Sequence, residues 1–340
     1  MSEHLNIGIE GSLGIITLNR PAAINALSHD MIAGIDGALR KWRDDDSVRA
    51  VLLEGRGPRG FCSGGDVRAA RALVLEGRSA EAEAYFAAEY KLNELIATYS
   101  KPVVALTHGT VMGGGIGLAG HAGFRFSLPD VKFAMPESAI GFVVDTGVNA
   151  ILAMAPVERA LFFLLTGASV GAADAQKLGL TDCVIGADRA EAVRTGIILA
   201  SDAEMIETSL VALMQAESIQ AGEAEFCREA DRLADVLRFD TAAQIVEAIG
   251  ATEALGQTLR LRSPLSLEAI LQSHRAARRG QSVAQTLAQD FRLAKFMIAQ
   301  HDFAEGVRAV LVDKDNKPIW EPARLSAQDV QDIKKAIESH

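Results

Sequence analysis

Two glycine-rich stretches and a pair of isolated acids carry the chemistry this sequence offers. Ser63-Gly64-Gly65-Asp66 and Met112-Gly113-Gly114-Gly115-Ile116-Gly117-Leu118 each follow an apolar run that reads as a strand and open a stretch that reads as helix. Two sets of backbone N–H groups at neighbouring helix starts can converge on one oxygen, which suits an oxygen that gains charge, such as a thioester carbonyl passing to an enolate or a tetrahedral oxyanion. Acyl chemistry of that kind needs a base or nucleophile. Glu137 is the candidate, because Phe133-Ala134-Met135-Pro136 makes its surroundings apolar and desolvation raises a carboxyl pKa. Asp145, in Gly141-Phe142-Val143-Val144-Asp145-Thr146-Gly147, is a second acid in similar company.

Other readings of these residues compete. Gly115-x-Gly117-x-x-Gly120 satisfies the dinucleotide fingerprint, but it follows roughly the third strand, whereas dinucleotide folds use the first βα turn and an acid at the end of the next strand. Glycines there also serve close helix packing, and each acid taken alone is as suited to a cap or a buried partner as to catalysis. His108 and His121 flank the second loop without completing a nucleophile–histidine–acid arrangement, so they read as packed or hydrogen-bonded histidines. Cys62 reads as a small buried thiol, and Arg56, Arg59 and Arg68 as solvated surface.

The elements that must position these groups alternate between strand and helix over the first 190 residues. Leu13 to Leu18 and Val48 to Leu53 read as strands. Ser28 onward is helical, with Met31, Ile32, Ile35, Leu39 and Trp42 at three- and four-residue spacing up to the Asp44-Asp45-Asp46 cluster. Val67 to Thr98 reads as helix, and Pro102 to Leu106 as a strand leading directly into the triple glycine. Such alternation implies βαβ crossovers and a mainly parallel sheet, an α/β fold. Past about residue 195 long Ala/Glu/Leu/Arg stretches dominate, with Glu217 to Glu223 and Arg262-Ser263-Pro264 as punctuation and a terminal helix at the end. The division by pattern is therefore a core over 1–195 and a mainly helical region over 196–340.

Composition narrows the partners. A chain of 340 residues with 49% hydrophobic content can bury a large core, and a net charge of −10 opposes general binding to nucleic acid or anionic membrane. Three cysteines without metal-ligand spacing imply no metal and a reducing compartment. With no basic and apolar leader at the first residues, the cytoplasm is the expected location.

Asn19-Arg20-Pro21 with Asn25-Ala26-Leu27, then Phe61-Cys62-Ser63-Gly64-Gly65-Asp66, Met112-Gly113-Gly114-Gly115 and Ala134-Met135-Pro136-Glu137, resemble in order and spacing the crotonase (enoyl-CoA hydratase/isomerase) superfamily. Glu137 through Asp145, Ser263-Pro264 and the tail from His301 to Asp315 are most similar to its 3-hydroxyisobutyryl-CoA hydrolases, enzymes of valine breakdown. The resemblance implies a spiral of ββα units completed by a helical C-terminal region. It implies coenzyme A, bound as part of the substrate, over Ala23, Asn25, Ser63, Gly64, Gly65, Asp66, Val67, Gly113 and Gly114, with no separate cofactor. It places the thioester oxygen on the N–H groups of Gly65 and Gly114, makes Glu137 nucleophile or general base, and has Asp145 orient the substrate hydroxyl or assist proton transfer. Hydratases of the superfamily carry a second glutamate two residues after the triple glycine, where this chain has Gly117; the expected reaction is therefore thioester hydrolysis, with hydration or isomerisation as the alternative and a non-catalytic CoA-binding scaffold as a third reading. Val143-Val144-Asp145-Thr146 departs from the usual Phe-Pro-Asp followed by glycines and bears on the acyl group accepted. Self-association through helical faces is compatible with the family.

Overall fold

The computed structural model describes residues 3–250 and 254–338. They form two compact units, each drawn from separate stretches of chain: 3–65, 91–133 and 170–224 in the first, and 66–90, 134–169, 225–250 and 254–338 in the second.

The first unit is built on a six-stranded sheet. Its strands are β1 (Leu5–Glu10), β2 (Leu13–Leu18), β3 (Ala50–Gly55), β4 (Val103–Thr107), β6 (Phe124–Ser127) and β8 (Cys183–Val184), hydrogen-bonded in that order. β1 pairs antiparallel with β2 (Leu5 opposite Leu18, Glu10 opposite Leu13), and every later pairing is parallel, as crossovers through helices require. Leu13, Ile15, Leu52, Val104 and Phe126 share one face with Val193, Ile197 and Leu210 of the helices Ala190–Asp202 and Ile206–Glu217. On β2 the intervening residue Gly14 points the other way. There it meets the Trp42 ring of α1 (His29–Arg43), with no room for a methyl group between them. Ser28 caps α1 by accepting the Met31 N–H at 3.3 Å, so the helix begins and ends where the sequence pattern placed it.

Elsewhere the structure departs from the sequence reading. β1 was absent from it: Leu5–Glu10 is an edge strand with one buried and several exposed residues, so it carries little apolar signal. The long helix expected over 67–98 is two helices, α2 (Val67–Leu75) and α3 (Ser79–Ala97), broken at Glu76-Gly77-Arg78. The triple glycine does not follow β4 directly; a short strand β5 (Thr110–Met112) intervenes, paired with β7 (Lys132–Ala134), before α4 (Gly114–Gly120). The approach to Ser63 is likewise not a regular strand but single bridges, Gly60 to Gly109 and Cys62 to Val111.

The second unit is mostly helical. Helix Pro264–Ala277 starts at Ser263, whose side chain accepts the Ser266 N–H, with Pro264 in the first turn. Helices Val283–Ile298 and His301–Val307 follow, the latter running into a wider π turn over Arg308–Val312, and Ala327–Glu338 is the terminal helix.

Candidate active site

The two glycine loops meet within the first unit. The Cys62 N–H donates to the Thr110 carbonyl (3.0 Å) and the Met112 N–H to the Cys62 carbonyl (2.9 Å), clamping one loop to the other. Gly64 has φ of +100°, and a Cβ there would stand 3.0 Å from the Met112 carbonyl oxygen and 3.5 Å from the Gly114 nitrogen. Gly113 precedes α4 at φ +48°, and Gly114 is the first residue of that helix, where an N–H has no intrahelical acceptor. Among the described residues neither the Gly65 nor the Gly114 N–H donates to a protein acceptor.

Asn25 and Ser63 play a different part. Asn25 is fully buried at φ +54°; its Oδ1 accepts the Arg20 N–H at 2.8 Å, and its Nδ2 donates to the carbonyls of Arg56 (2.9 Å), Gly60 (3.2 Å) and Phe61 (3.0 Å). Ser63 Oγ donates to the Ala23 carbonyl at 3.0 Å. These side chains hold the loop in shape. Asn25→Ala is expected to destabilise the protein by about 3 kcal/mol, because one side chain satisfies four backbone groups in a dry interior; urea unfolding at constant m-value measures it.

The remaining loop candidates lie at the start of α2. Asp66 caps that helix through the Ala69 N–H and donates its own N–H to the Tyr85 hydroxyl (2.9 Å), and Val67 is its first residue. Gly117 lies within α4 and is buried. His108 contacts the Gly57 carbonyl through Nε2 (2.7 Å), and Cys62 is buried with its Sγ 3.2 Å from the Asn25 carbonyl oxygen, so the structural readings of both hold.

The carboxylates gather in the second unit. Glu137 opens a single 3-10 turn, Glu137–Ala139, and is 7% exposed; Asp145 is 5% exposed. A third acid, Glu89 on α3, is 2% exposed and lies within electrostatic reach of both. Tyr90 donates its hydroxyl to Asp145 Oδ2 at 2.6 Å. Stacked and tilted rings line the surroundings, Phe86 on Phe142 at 5.1 Å and Phe142 on Phe303 at 5.4 Å.

Burial dominates the electrostatics here. It pushes Glu137 well above the carboxylate range, reinforced by the charges of Asp145 and Glu89. Burial raises Asp145 to about 7 despite the Tyr90 hydrogen bond, and burial with the Asp145 charge raises Glu89 to about 8. Glu137 Oε2 and Glu89 Oε1 find no hydrogen-bond partner among the described residues. Three buried carboxyls within electrostatic reach of one another do not all ionise together, so the cluster holds protons near neutrality.

The Glu137 turn is held from the C-terminal helices. The Ser263 N–H donates to the Ser138 carbonyl (3.1 Å), and Ser263 Oγ donates to Asp302 Oδ2 (2.5 Å). Gly141, at φ +68°, packs so close that a Cβ would lie 2.0 Å from the Asp302 carbonyl oxygen. Gly141→Ala combines that overlap with a left-handed backbone, and a loss of about 4 kcal/mol is expected from thermal unfolding.

Residues 13–337 match the enoyl-CoA hydratase/isomerase family. The chain belongs to that family. Among its enoyl-CoA hydratase/isomerase relatives, 3-hydroxyisobutyryl-CoA hydrolase, mitochondrial, of Danio rerio is 34% identical over 97% of this chain and 88% of that one. The 3-hydroxyisobutyryl-CoA hydrolase 1 of Arabidopsis thaliana is 35% identical over 95% of this chain and 88% of its own. Among solved structures, a carnitinyl-CoA dehydratase from Mycobacterium thermoresistibile superposes with a TM-score of 0.89 at 35% identity, covering 98% of this chain and 96% of that one. An enoyl-CoA hydratase from Rhodobacter sphaeroides gives 0.88 at 31%, covering 97% of each. The α/β crotonase architecture expected from sequence is thus the one observed. Among the described residues no helix is long and apolar enough to cross a membrane.

Proposed function

We propose that this chain hydrolyses the thioester of a short hydroxyacyl-CoA, 3-hydroxyisobutyryl-CoA first among them, releasing the hydroxy acid and coenzyme A. The observation that carries the reading is the acid inventory: Glu137 is a buried carboxyl in a cluster with Asp145 and Glu89, while Gly117 stands where hydratases keep their second glutamate. The names of the full-length relatives support it.

In this account the N–H groups of Gly65 and Gly114 receive the negative charge that develops on the thioester oxygen. Ionised Glu137 either attacks the carbonyl carbon, expelling the CoA thiolate and leaving a mixed anhydride that water cleaves, or takes a proton from the attacking water. A neutral carboxyl at Asp145 or Glu89 donates a hydrogen bond to the acyl hydroxyl. Coenzyme A arrives with the substrate, and the chemistry calls for no metal or other cofactor. Placement in the cytoplasm is proposed from the three cysteines, all buried and free, although the Danio rerio relative is named as mitochondrial.

A second reading, hydration or dehydration with the thioester intact, is favoured by the names of the two superposed structures. Comparing 3-hydroxyisobutyryl-, 3-hydroxypropionyl- and isobutyryl-CoA separates them. The proposal expects thiol release from the hydroxylated thioesters, with isobutyryl-CoA slower in kcat/KM by about a hundredfold or more, since a site built to bond a hydroxyl rejects an analogue lacking it. Equal rates with and without the hydroxyl would remove the role given to Asp145 and Glu89. Loss of crotonyl-CoA absorbance without thiol release would establish the second reading.

A further inference from the structure

Asp145 is followed by a backbone that should not hold itself. Thr146 has φ of +57° and Gly147 φ of +74°, two consecutive left-handed residues, and the first is β-branched. A threonine in that region is disfavoured by its own Cβ, so neighbouring structure must impose the conformation. The contact that does so comes from far along the chain. Asp290, in the helix Val283–Ile298, is fully buried, and its Oδ2 accepts the Gly147 N–H at 2.8 Å. Its Oδ1 has no hydrogen-bond partner among the described residues. Gly147 then caps the short helix Val148–Leu152, and the turn leading into it closes through Val148 N–H to the Asp145 carbonyl (3.2 Å).

We propose that Asp290 is a positioning residue for Asp145: by accepting the Gly147 N–H it locks the left-handed Thr146–Gly147 turn and so aims the Asp145 carboxyl. The assignment of Asp145 to substrate handling rests on the hydrolase reading above; the locking of the turn does not. Burial among acids disfavours the charged form of the locking carboxyl. Burial and the Asp145 charge push Asp290 well above the carboxylate range, opposed by the Gly147 hydrogen bond and by Arg292 on its own helix. The charged and titratable groups facing this cluster are Glu137, Asp145, Glu89 and Tyr90 from the packed elements and Arg292 from the same helix. An amide oxygen accepts a backbone N–H as the Asp290 carboxyl oxygen does, so Asn can replace it and Ala cannot.

The test compares Asp290→Asn and Asp290→Ala in the full chain by two readouts. The first needs no substrate: amide exchange at Gly147 and the NMR titration of the Asp145 carboxyl. Asp290→Asn is expected to keep Gly147 protected and the Asp145 titration in place. Asp290→Ala is expected to lose the protection and let the Asp145 pKa fall toward the ordinary carboxylate range as water enters. The second is thiol release from 3-hydroxyisobutyryl-CoA, where Asp290→Ala is expected to lose about a hundredfold in kcat/KM and Asp290→Asn only a few-fold, as a misaimed group costs far more than an exchange that keeps the acceptor in place. Unchanged Gly147 exchange and Asp145 titration in Asp290→Ala would overturn the proposal, as would equal damage by Asn and Ala. If the wild type releases no thiol while the NMR pattern is as expected, the hydrolase reading fails and the positioning of Asp145 stands.

Discussion

Glu137→Gln is expected to abolish thiol release from 3-hydroxyisobutyryl-CoA while leaving the protein folded and more stable than the wild type. Glutamine has the shape of the carboxyl but can neither attack a carbonyl carbon nor accept a proton from water, so both versions of the mechanism fail with it. The size of the loss separates them. Removing a general base costs about 10²- to 10⁴-fold, whereas removing a covalent nucleophile costs on the order of 10⁶-fold in kcat. The stability gain follows from the same burial: Glu137 has an unpartnered Oε2 and two like charges in reach, and an amide removes the repulsion. Single-turnover rates and thermal unfolding of the variant measure both effects. A variant that loses activity only by unfolding would contradict the role given to this residue.

Glu89→Gln carries the second large effect, and it depends on pH. Burial and the Asp145 charge raise the Glu89 pKa from 4.5 to about 8, so between those values the folded state holds a proton that the unfolded state has released. A carboxyl raised in this way favours the folded state most below its unfolded pKa, and that advantage drains as pH rises until the folded pKa is passed. The wild type is therefore expected to lose several kcal/mol of stability between about pH 4.5 and 8 through this group, at about 1.4 kcal/mol per pH unit. Glu89→Gln is spared that loss: it should match the wild type near pH 4 and exceed it by several degrees in Tm at pH 8. Its amide still donates a hydrogen bond, so turnover should fall by about tenfold, far less than for Glu137→Gln. Identical stability profiles for the two proteins would show that Glu89 is not held neutral.

The contrast between these two acids explains what sequence reasoning reached. Glu137 and Asp145 were visible because each is a lone acid in an apolar run, and the two glycine loops tip the pair from cap or buried partner toward catalysis. Glu89 was hidden in a helix that also carries Glu81, Glu83 and Glu94, and nothing in composition separates it from these surface neighbours. Spacing does: Ala82, Phe86, Glu89, Asn93 and Ile96 recur at three- and four-residue intervals and are all buried, so Glu89 lies on the inward stripe of α3. Asp290 hides the same way, between buried Thr286, Leu287, Leu293 and Met297. An acid on the apolar stripe of an amphipathic helix was the signal available and unused.

The glycine loops were legible for the opposite reason. The backbone conformation at Gly64 and the close approach of its neighbour loop leave a narrow choice of residue, so the local geometry is readable in the letters themselves. Asn25 sits in the motif with its side chain hydrogen-bonded to the backbone of Arg20, Arg56, Gly60 and Phe61, so it shapes the loop. Parallel pairing was foreseen from the alternation of strands and helices, whereas β1 was not, because an exposed edge strand next to the chain start has little apolar pattern to read.

The central claim is that a thioester bond is broken, and the most direct test is to incubate the wild type with 3-hydroxyisobutyryl-CoA and follow free thiol against total acyl-CoA. Stoichiometric release of thiol and free hydroxy acid is the predicted result. Acyl-CoA that is dehydrated or left unchanged while no thiol appears would contradict the account.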